Sequence, residues 1–282
     1  MKMNHNNPKI PKGIIINLVI IIATFIFVNY IAGLIFLITY ILNSLKSFSK
    51  NQKEEFIKDV IEIENVDLLK NKIEKRKKYL QISLNSRLEV AQEIVLSLPK
   101  SDRVLIEVGS SLINRYGTMS VSGVKIFAPT NSYIIADCKC ADLAPREVKM
   151  MANAGASAAT CLGVAPIETI DSFIKECQKF NIDSMIDMMN VESAIEVLKK
   201  LKKLPNVVIL NKGSNEINKQ IPFYQINQIK GNYNLFVAVS GSQTIKEVQS
   251  AIFNAADIVV VGEDLYNSQQ DQLVETFLKK IK

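Results

Sequence analysis

From Tyr79 onward, short apolar segments rich in β-branched residues alternate with amphipathic segments, and this alternation restricts the possible folds. The apolar segments are short enough for buried strands, and in the segments between them apolar residues recur at three- and four-residue spacing, which predicts helices. Eight strands alternating with helices predict an α/β protein, namely a (β/α)₈ TIM barrel. The candidate strands are 80–84, 104–108, 133–136, 158–162, 184–186, 207–210, 236–239 and 258–261, and the clearest helices are 144–154, 167–180, 191–201, 245–254 and 272–281.

A doubly wound open sheet is the alternative arrangement for such a pattern. That fold usually carries a Gly-x-Gly-x-x-Gly motif directly after its first strand, where the backbone approaches a dinucleotide. The first candidate strand is followed instead by Asn85-Ser86-Arg87. The barrel is therefore the preferred prediction.

The N-terminal part of the chain has a different character. Residues 13–42 contain no charged side chain, and a run of about thirty residues exceeds the ~20 needed to cross a bilayer. The run predicts a transmembrane helix that is kept, because residues 43–46 make a poor cleavage site. Residues 53–78 are rich in charged side chains, and their apolar residues recur at helical spacing, which predicts one or two amphipathic helices. The predicted domains are a tail and transmembrane helix (1–45), a helical linker (46–78) and the barrel (79–282).

Charge is unevenly distributed. Residues 1–78 hold 13 Lys and Arg against 7 Asp and Glu, whereas residues 79–282 hold 21 of each. A neutral barrel argues against nucleic-acid binding, and a basic leader favours contact with anionic membrane lipid. The four cysteines belong to a chain long enough to bury a core without disulfides. The resulting prediction is a single-pass membrane protein with its barrel in the cytoplasm.

Polar residues collect where the predicted strands end. Asp137 and Lys139 lie two positions apart at the end of the third strand, so their side chains share a face. Each favours the charged form of the other, which suits a reaction that develops negative charge. The alternatives without a function are a surface ion pair for Asp137 and Lys139, and helix caps for single polar residues at strand ends. Further candidates at strand ends are Asn85, Glu107, Asp142, Asp187, Asn211, Gly241 and Gly262.

The motif Asp137-x-Lys139-x-x-Asp142, with residues 153–156 (NAGA) and 162–165 (LGVA) after it, resembles the orotidine monophosphate decarboxylase superfamily. Over residues 79–262 the chain is most similar to the branch of 3-hexulose-6-phosphate synthase and 3-keto-gulonate-6-phosphate decarboxylase. Glu107 and residues 186–191 (IDMMNV) also resemble that branch.

This resemblance implies a lyase that forms an enediolate on a ketose phosphate and adds or removes formaldehyde. It implies Mg²⁺ held by Glu107 and Asp137, with Asp137, Lys139 and Asp142 as catalytic residues. It also implies a homodimer, because the last acid of the family's motif reaches into the neighbouring subunit's site. Asn85, Asp187, Asn211, Gly241 and Gly262 are the implied substrate-binding residues.

Three departures from the family's pattern leave alternatives open. The family's first strand ends in aspartate and its sixth commonly in histidine, where this chain has Asn85 and Asn211. Glu263 and Asp264 stand where orotidine decarboxylases have an arginine near the phosphate. The alternatives are a related reaction on another, non-phosphorylated substrate, an orotidine 5'-phosphate decarboxylase-type reaction, and a barrel without catalysis that serves as a binding or scaffold module. Glu107 replaces the lysine that orotidine decarboxylation requires.

Overall fold

The computed structural model describes residues 72–211, 223–242, 245–262 and 278–279. Eight parallel strands follow one another around a closed barrel, and the last pairs with the first. This confirms the predicted (β/α)₈ barrel. The strands are β1 (Tyr79–Leu84), β2 (Val104–Val108), β3 (Tyr133–Cys140), β4 (Ala158–Leu162), β5 (Asp183–Asp187), β6 (Val207–Asn211), β7 (Phe236–Ser242) and β8 (Ile258–Gly262).

Helices follow the strands and cover the outside of the barrel. Their observed ends lie within a few residues of the predicted ones, and the predicted helix 272–281 lies outside the described residues apart from 278–279. The helices are α1 (Leu88–Ser97), α2 (Ser110–Tyr116), α3 (Thr118–Phe127), α4 (Ala144–Asn153), α5 (Ile167–Lys179), α6 (Ala194–Lys200), α7 (Phe223–Asn232) and α8 (Ile245–Phe253).

Each strand sends alternate side chains inward and outward, and both sets are buried. In β1, Leu80, Ile82 and Leu84 belong to the outer core beneath the helices, whereas Tyr79 belongs to the inner core of the barrel. Strands buried on both faces are normally apolar throughout. Inward-facing polar residues are therefore exceptions that need a partner or a function.

The prediction of a single-pass membrane location is corrected by the structure. None of the helices that can be described is long and apolar enough to cross a bilayer. The apolar run 13–42, on which the prediction depended, lies outside the described residues. The chain divides between Leu69 and Lys70, and everything described here belongs to the second unit. Residues 72–78, the described part of the predicted helical linker, contain a turn and no helix.

The segment before β1 packs at the amino-terminal end of the barrel. Ile73 packs against the inner core, and the Glu74 backbone N–H donates a hydrogen bond of 2.6 Å to the Tyr79 hydroxyl. The opposite end carries the polar strand ends. In barrels of this type, ligands enter at that carboxyl end.

Candidate active site

Lys139 lies between two carboxylates. Its Nζ is 3.2 Å from Asp137 Oδ2 and 3.0 Å from Asp187 Oδ2. Burial lowers the pKa of Lys139, but the two carboxylates outweigh burial and the net pKa is raised. The ammonium group therefore stays charged at neutral pH, held by one acid from its own strand and one from β5.

A bulge in β3 lies at this ion pair. The strand runs on to Cys140, four residues beyond its predicted end, and its register against β4 shifts between Ala136 and Cys140. Lys139 has a φ of +44°, in the left-handed region that side chains other than glycine rarely adopt. The bulge therefore coincides with the two residues, Asp137 and Lys139, whose charged groups form the ion pair.

Glu107 of β2 is buried beside this ion pair. Its Oε1 accepts a hydrogen bond of 2.5 Å from Ser83 Oγ, and its Oε2 accepts one from Gln81 Nε2. The Ser83 hydroxyl in turn accepts a hydrogen bond of 2.9 Å from Asn85 Nδ2. Burial, followed by the charge of Asp137, raises the pKa of Glu107 to about 7, against the opposing effects of Ser83, Gln81 and Lys139.

Two observations on this carboxyl group fit a divalent cation. A cation between Glu107 and Asp137 would relieve the repulsion that raises the Glu107 pKa. Gln81 donates a hydrogen bond to Glu107 through Nε2. Its Oε1 is the one buried side-chain polar atom in the described residues that has no hydrogen-bond partner. Such an atom normally indicates a water or an ion.

The donor set also suits a hard cation. No group of three or more His, Cys, Asp or Glu residues is placed to hold a metal within the part of the chain that the structure describes. Mg²⁺ needs only one or two carboxylates because it keeps several of its waters. Glu107 and Asp137 supply such a pair.

Asp187 and Asn211 extend the network across the barrel. Asp187 is 2% exposed, and its Oδ2 accepts hydrogen bonds from Lys139 Nζ and, at 3.1 Å, from Asn211 Nδ2. Its Oδ1 accepts a 3.0 Å hydrogen bond from the Met189 backbone N–H. Asp187 is thus fixed by three donors and serves as the second counter-ion of Lys139.

Three other predicted residues take no part in the hydrogen bonds and ion pairs described for this network. Asp142 is exposed, and its carboxylate accepts a 2.7 Å hydrogen bond from the Leu143 backbone N–H. Gly241 has a φ of +98° at a register shift in β7, and Gly262 is exposed at the end of β8. Residues 263 and 264, also considered in the sequence analysis, lie outside the described residues.

The sequence interpretation missed Gln81, Ser83 and Thr160, which contact the charged groups from inside the barrel. Thr160 Oγ1 donates a 2.7 Å hydrogen bond to Asp137 Oδ1. The sequence of β1 could have indicated Gln81 and Ser83, because they are polar residues that alternate with apolar ones in a strand buried on both faces.

Comparison with known proteins places the chain in a family. The model of the orotidine 5'-phosphate decarboxylase / HUMPS family matches residues 78–275. The bifunctional enzyme Fae/Hps of Methanocella arvoryzae is 35% identical over 199 residues, which are 68% of this chain and 50% of that protein. The Methanosarcina mazei enzyme of the same name is 35% identical over 206 residues, 72% of this chain and 52% of that protein. The chain thus spans about half the length of these curated relatives.

Solved structures share the fold. The 3-hexulose-6-phosphate synthase of Salmonella typhimurium superimposes with a TM-score of 0.63 at 22% identity, covering 72% of this chain and 100% of that one. The structure of KGPDC from Streptococcus mutans in complex with a sugar phosphate gives a TM-score of 0.62 at 19% identity and covers 72% of this chain and 97% of that one. At these identities the likeness establishes the barrel architecture.

Proposed function

Because this chain belongs to the orotidine 5'-phosphate decarboxylase / HUMPS family, we propose that it is a carbon–carbon lyase of the 3-hexulose-6-phosphate synthase type. The substrate would be a ketose phosphate, and formaldehyde would be the aldehyde that is added or removed. The observation that carries the proposal is the grouping of Glu107, Asp137, Lys139 and Asp187 at the carboxyl end of one barrel. Relatives named Fae/Hps and a structural neighbour bound to a sugar phosphate support the substrate class.

Magnesium is the cofactor of this proposal, with Glu107 and Asp137 as its protein ligands. When bound, the cation would polarise the oxygens of the substrate and take up negative charge. The proposal is supported by the paired carboxylates and by the partnerless Gln81 oxygen beside Glu107. Lys139 supplies a second positive charge that belongs to the chain itself.

The chemistry requires both removal of a proton and stabilisation of charge. In the addition direction, the C–H bond next to the ketose carbonyl breaks, the resulting carbanion forms a bond to the formaldehyde carbon, and a proton returns to the new alkoxide oxygen. Lys139 keeps its proton at neutral pH, so it stabilises the enediolate as a cation. Asp137 and Asp187 are the carboxylates next to it that can accept the proton.

We extend the proposal to a homodimer. The exposed Asp142 is absent from the network of Lys139 and is therefore available to complete a site in a second copy of the chain. Its carboxylate accepts only a local backbone hydrogen bond among those described for it. The dimer would place a third acid near the substrate.

A second candidate is the same chemistry on a ketose without phosphate. Glu263 and Asp264 follow Gly262, and negative charge near a phosphate dianion is unfavourable. Asn85 and Asn211 act here as amide donors to Ser83 and Asp187 and are not bases. A barrel that only binds a partner remains the alternative if no ligand of this class binds.

Calorimetric titration of the full chain with ribulose 5-phosphate, with and without Mg²⁺, tests the proposal. We expect binding that requires Mg²⁺ and that Lys139→Ala weakens by ~10-fold or more, since the substitution removes a charged contact. Lys149→Ala on the exposed face of α4 is the matched control and leaves binding unchanged. Tighter binding of ribulose than of its phosphate supports the second candidate, and folded protein that binds neither sugar contradicts both.

A further inference from the structure

Thr160 stands opposite the whole of the β3 bulge. Ala136 pairs with Ala159, and the next paired position joins Cys140 to Cys161. Residues 137, 138 and 139 of β3 therefore face the single residue Thr160 of β4. Thr160 is 1% exposed, so its hydroxyl must find partners within the protein.

Each of the three bulge residues makes a hydrogen bond to Thr160. The hydroxyl donates to Asp137 Oδ1 at 2.7 Å and accepts the Lys139 backbone N–H at 3.0 Å. The Thr160 carbonyl oxygen accepts the Cys138 thiol at 3.2 Å. One side chain thus contacts both the backbone that positions Lys139 and the carboxylate that pairs with it.

We propose that Thr160 is the positioning residue of this site, whose hydroxyl holds the left-handed backbone of Lys139 and the carboxylate of Asp137 in one geometry. A left-handed conformation is unfavourable for a residue with a side chain and persists where the surroundings enforce it. The hydrogen bond from the Lys139 N–H to the Thr160 hydroxyl is the contact that stabilises this backbone. The same hydroxyl directs Asp137 Oδ1, which leaves Asp137 Oδ2 toward the Lys139 ammonium.

The hydrogen-bond directions explain why a hydroxyl is required. Lys139 N–H can only donate and the Asp137 carboxylate can only accept, so the group between them must do both. A hydroxyl does so, and the β-branched threonine holds it in a restricted rotamer. Valine has the same shape and neither capacity.

The test compares Thr160→Val with Thr160→Ser in the full chain. The kinetic part rests on the proposed function. In the condensation of formaldehyde with ribulose 5-phosphate, we expect Thr160→Val to lower kcat by roughly 10- to 100-fold with KM changed less than ~3-fold, because misplaced groups lose rate rather than affinity. Thr160→Ser restores kcat to within ~3-fold of the wild type.

If Thr160 acted only through packing, Thr160→Ser would lower kcat more than Thr160→Val, since serine loses the methyl group and valine keeps it. Impairment of Thr160→Ser as severe as that of Thr160→Val, or full activity of Thr160→Val, overturns the proposal. If Thr160→Val does not fold, Thr160→Ala removes the hydroxyl from a smaller side chain.

A measurement without substrate separates this proposal from the proposed function. In ¹⁵N-labelled protein, we expect Thr160→Val to shift the Lys139 backbone amide signal and to abolish its protection from exchange, while Thr160→Ser retains both. An unchanged Lys139 amide in Thr160→Val overturns the positioning role, whether or not the chain catalyses condensation. A wild type without condensation activity counts against the proposed function alone, and the amide signals still decide the role of Thr160.

Discussion

Glu107 shows how a single buried residue is placed for function at a cost in stability. Its carboxyl group accepts hydrogen bonds from the hydroxyl of Ser83 and the amide of Gln81, both of which are uncharged. Burial and the charge of Asp137 raise its pKa to about 7. Without a bound cation, the charged form therefore destabilises the folded state.

The pH dependence of this cost gives a prediction for Glu107→Gln. The folded pKa of about 7 lies above the unfolded value of 4.5, so the folded state binds the proton more tightly. The wild type therefore loses stability as the pH rises from about 4.5 to about 7, and the loss is complete above that window. With EDTA present, we expect Glu107→Gln to exceed the wild type in unfolding free energy by roughly 1–3 kcal/mol at pH 8 and by little at pH 4.5.

Denaturant unfolding at several pH values measures this difference. Glu93→Gln, on the exposed face of α1, serves as the control and should change the unfolding free energy by less than ~0.5 kcal/mol at every pH. Mg²⁺ should reduce the advantage of Glu107→Gln by stabilising the wild type. An advantage that does not depend on pH would contradict the raised pKa of Glu107.

At the scale of elements, the carboxyl ends of β1 and β2 approach closely at Gly109. The Gly109 backbone N–H donates a 2.8 Å hydrogen bond to the Leu84 carbonyl. A Cβ atom at position 109 would lie 2.2 Å from Asn85 Oδ1 and 2.6 Å from Asn85 Cγ. Glycine at this position therefore lets the Asn85 amide lie over the strand end and reach Ser83.

This contact predicts strong coupling between positions 109 and 85. Gly109→Ala should lower the unfolding free energy by ~1–3 kcal/mol, because the added methyl group displaces the Asn85 amide. In the background of Asn85→Ala, the same substitution should cost less than ~1 kcal/mol. A double-mutant cycle by denaturant unfolding measures the coupling. Additive effects of the two substitutions would contradict the close approach.

The β3 bulge marks the limit of what the strand pattern could predict. Alternation correctly placed Asp137 and Lys139 on one face, and the structure places their charged groups 3.2 Å apart. The strand was expected to end at residue 136, because the apolar run ends there. The bulge is hydrogen-bonded to Thr160, which lies 21 residues further along the chain than Lys139. A local pattern carries no information about a hydrogen bond over that distance.

At the scale of the whole molecule, the barrel was predictable because eight repeats of one pattern agree with each other. The site was predictable in part, since parallel strands bring their carboxyl ends together and the acids at those ends meet. Inward-facing partners such as Gln81 and Ser83 were missed because their role depends on which neighbour they face across the barrel. The uncharged run of residues 13–42 suggested a membrane span, but it lies outside the described residues, and none of the described helices is long and apolar enough to cross a bilayer.

The proposed reaction is the condensation of formaldehyde with a ketose phosphate at the site formed by Glu107, Asp137, Lys139 and Asp187. The most direct test is the rate at which the purified full chain consumes formaldehyde with ribulose 5-phosphate, in Mg²⁺ and in EDTA. We predict turnover that EDTA abolishes and Mg²⁺ restores, and a loss of ~10³-fold or more in kcat/KM for Lys139→Ala but none for Lys149→Ala. Folded wild type without turnover in Mg²⁺, or full activity of Lys139→Ala, would contradict the proposed function.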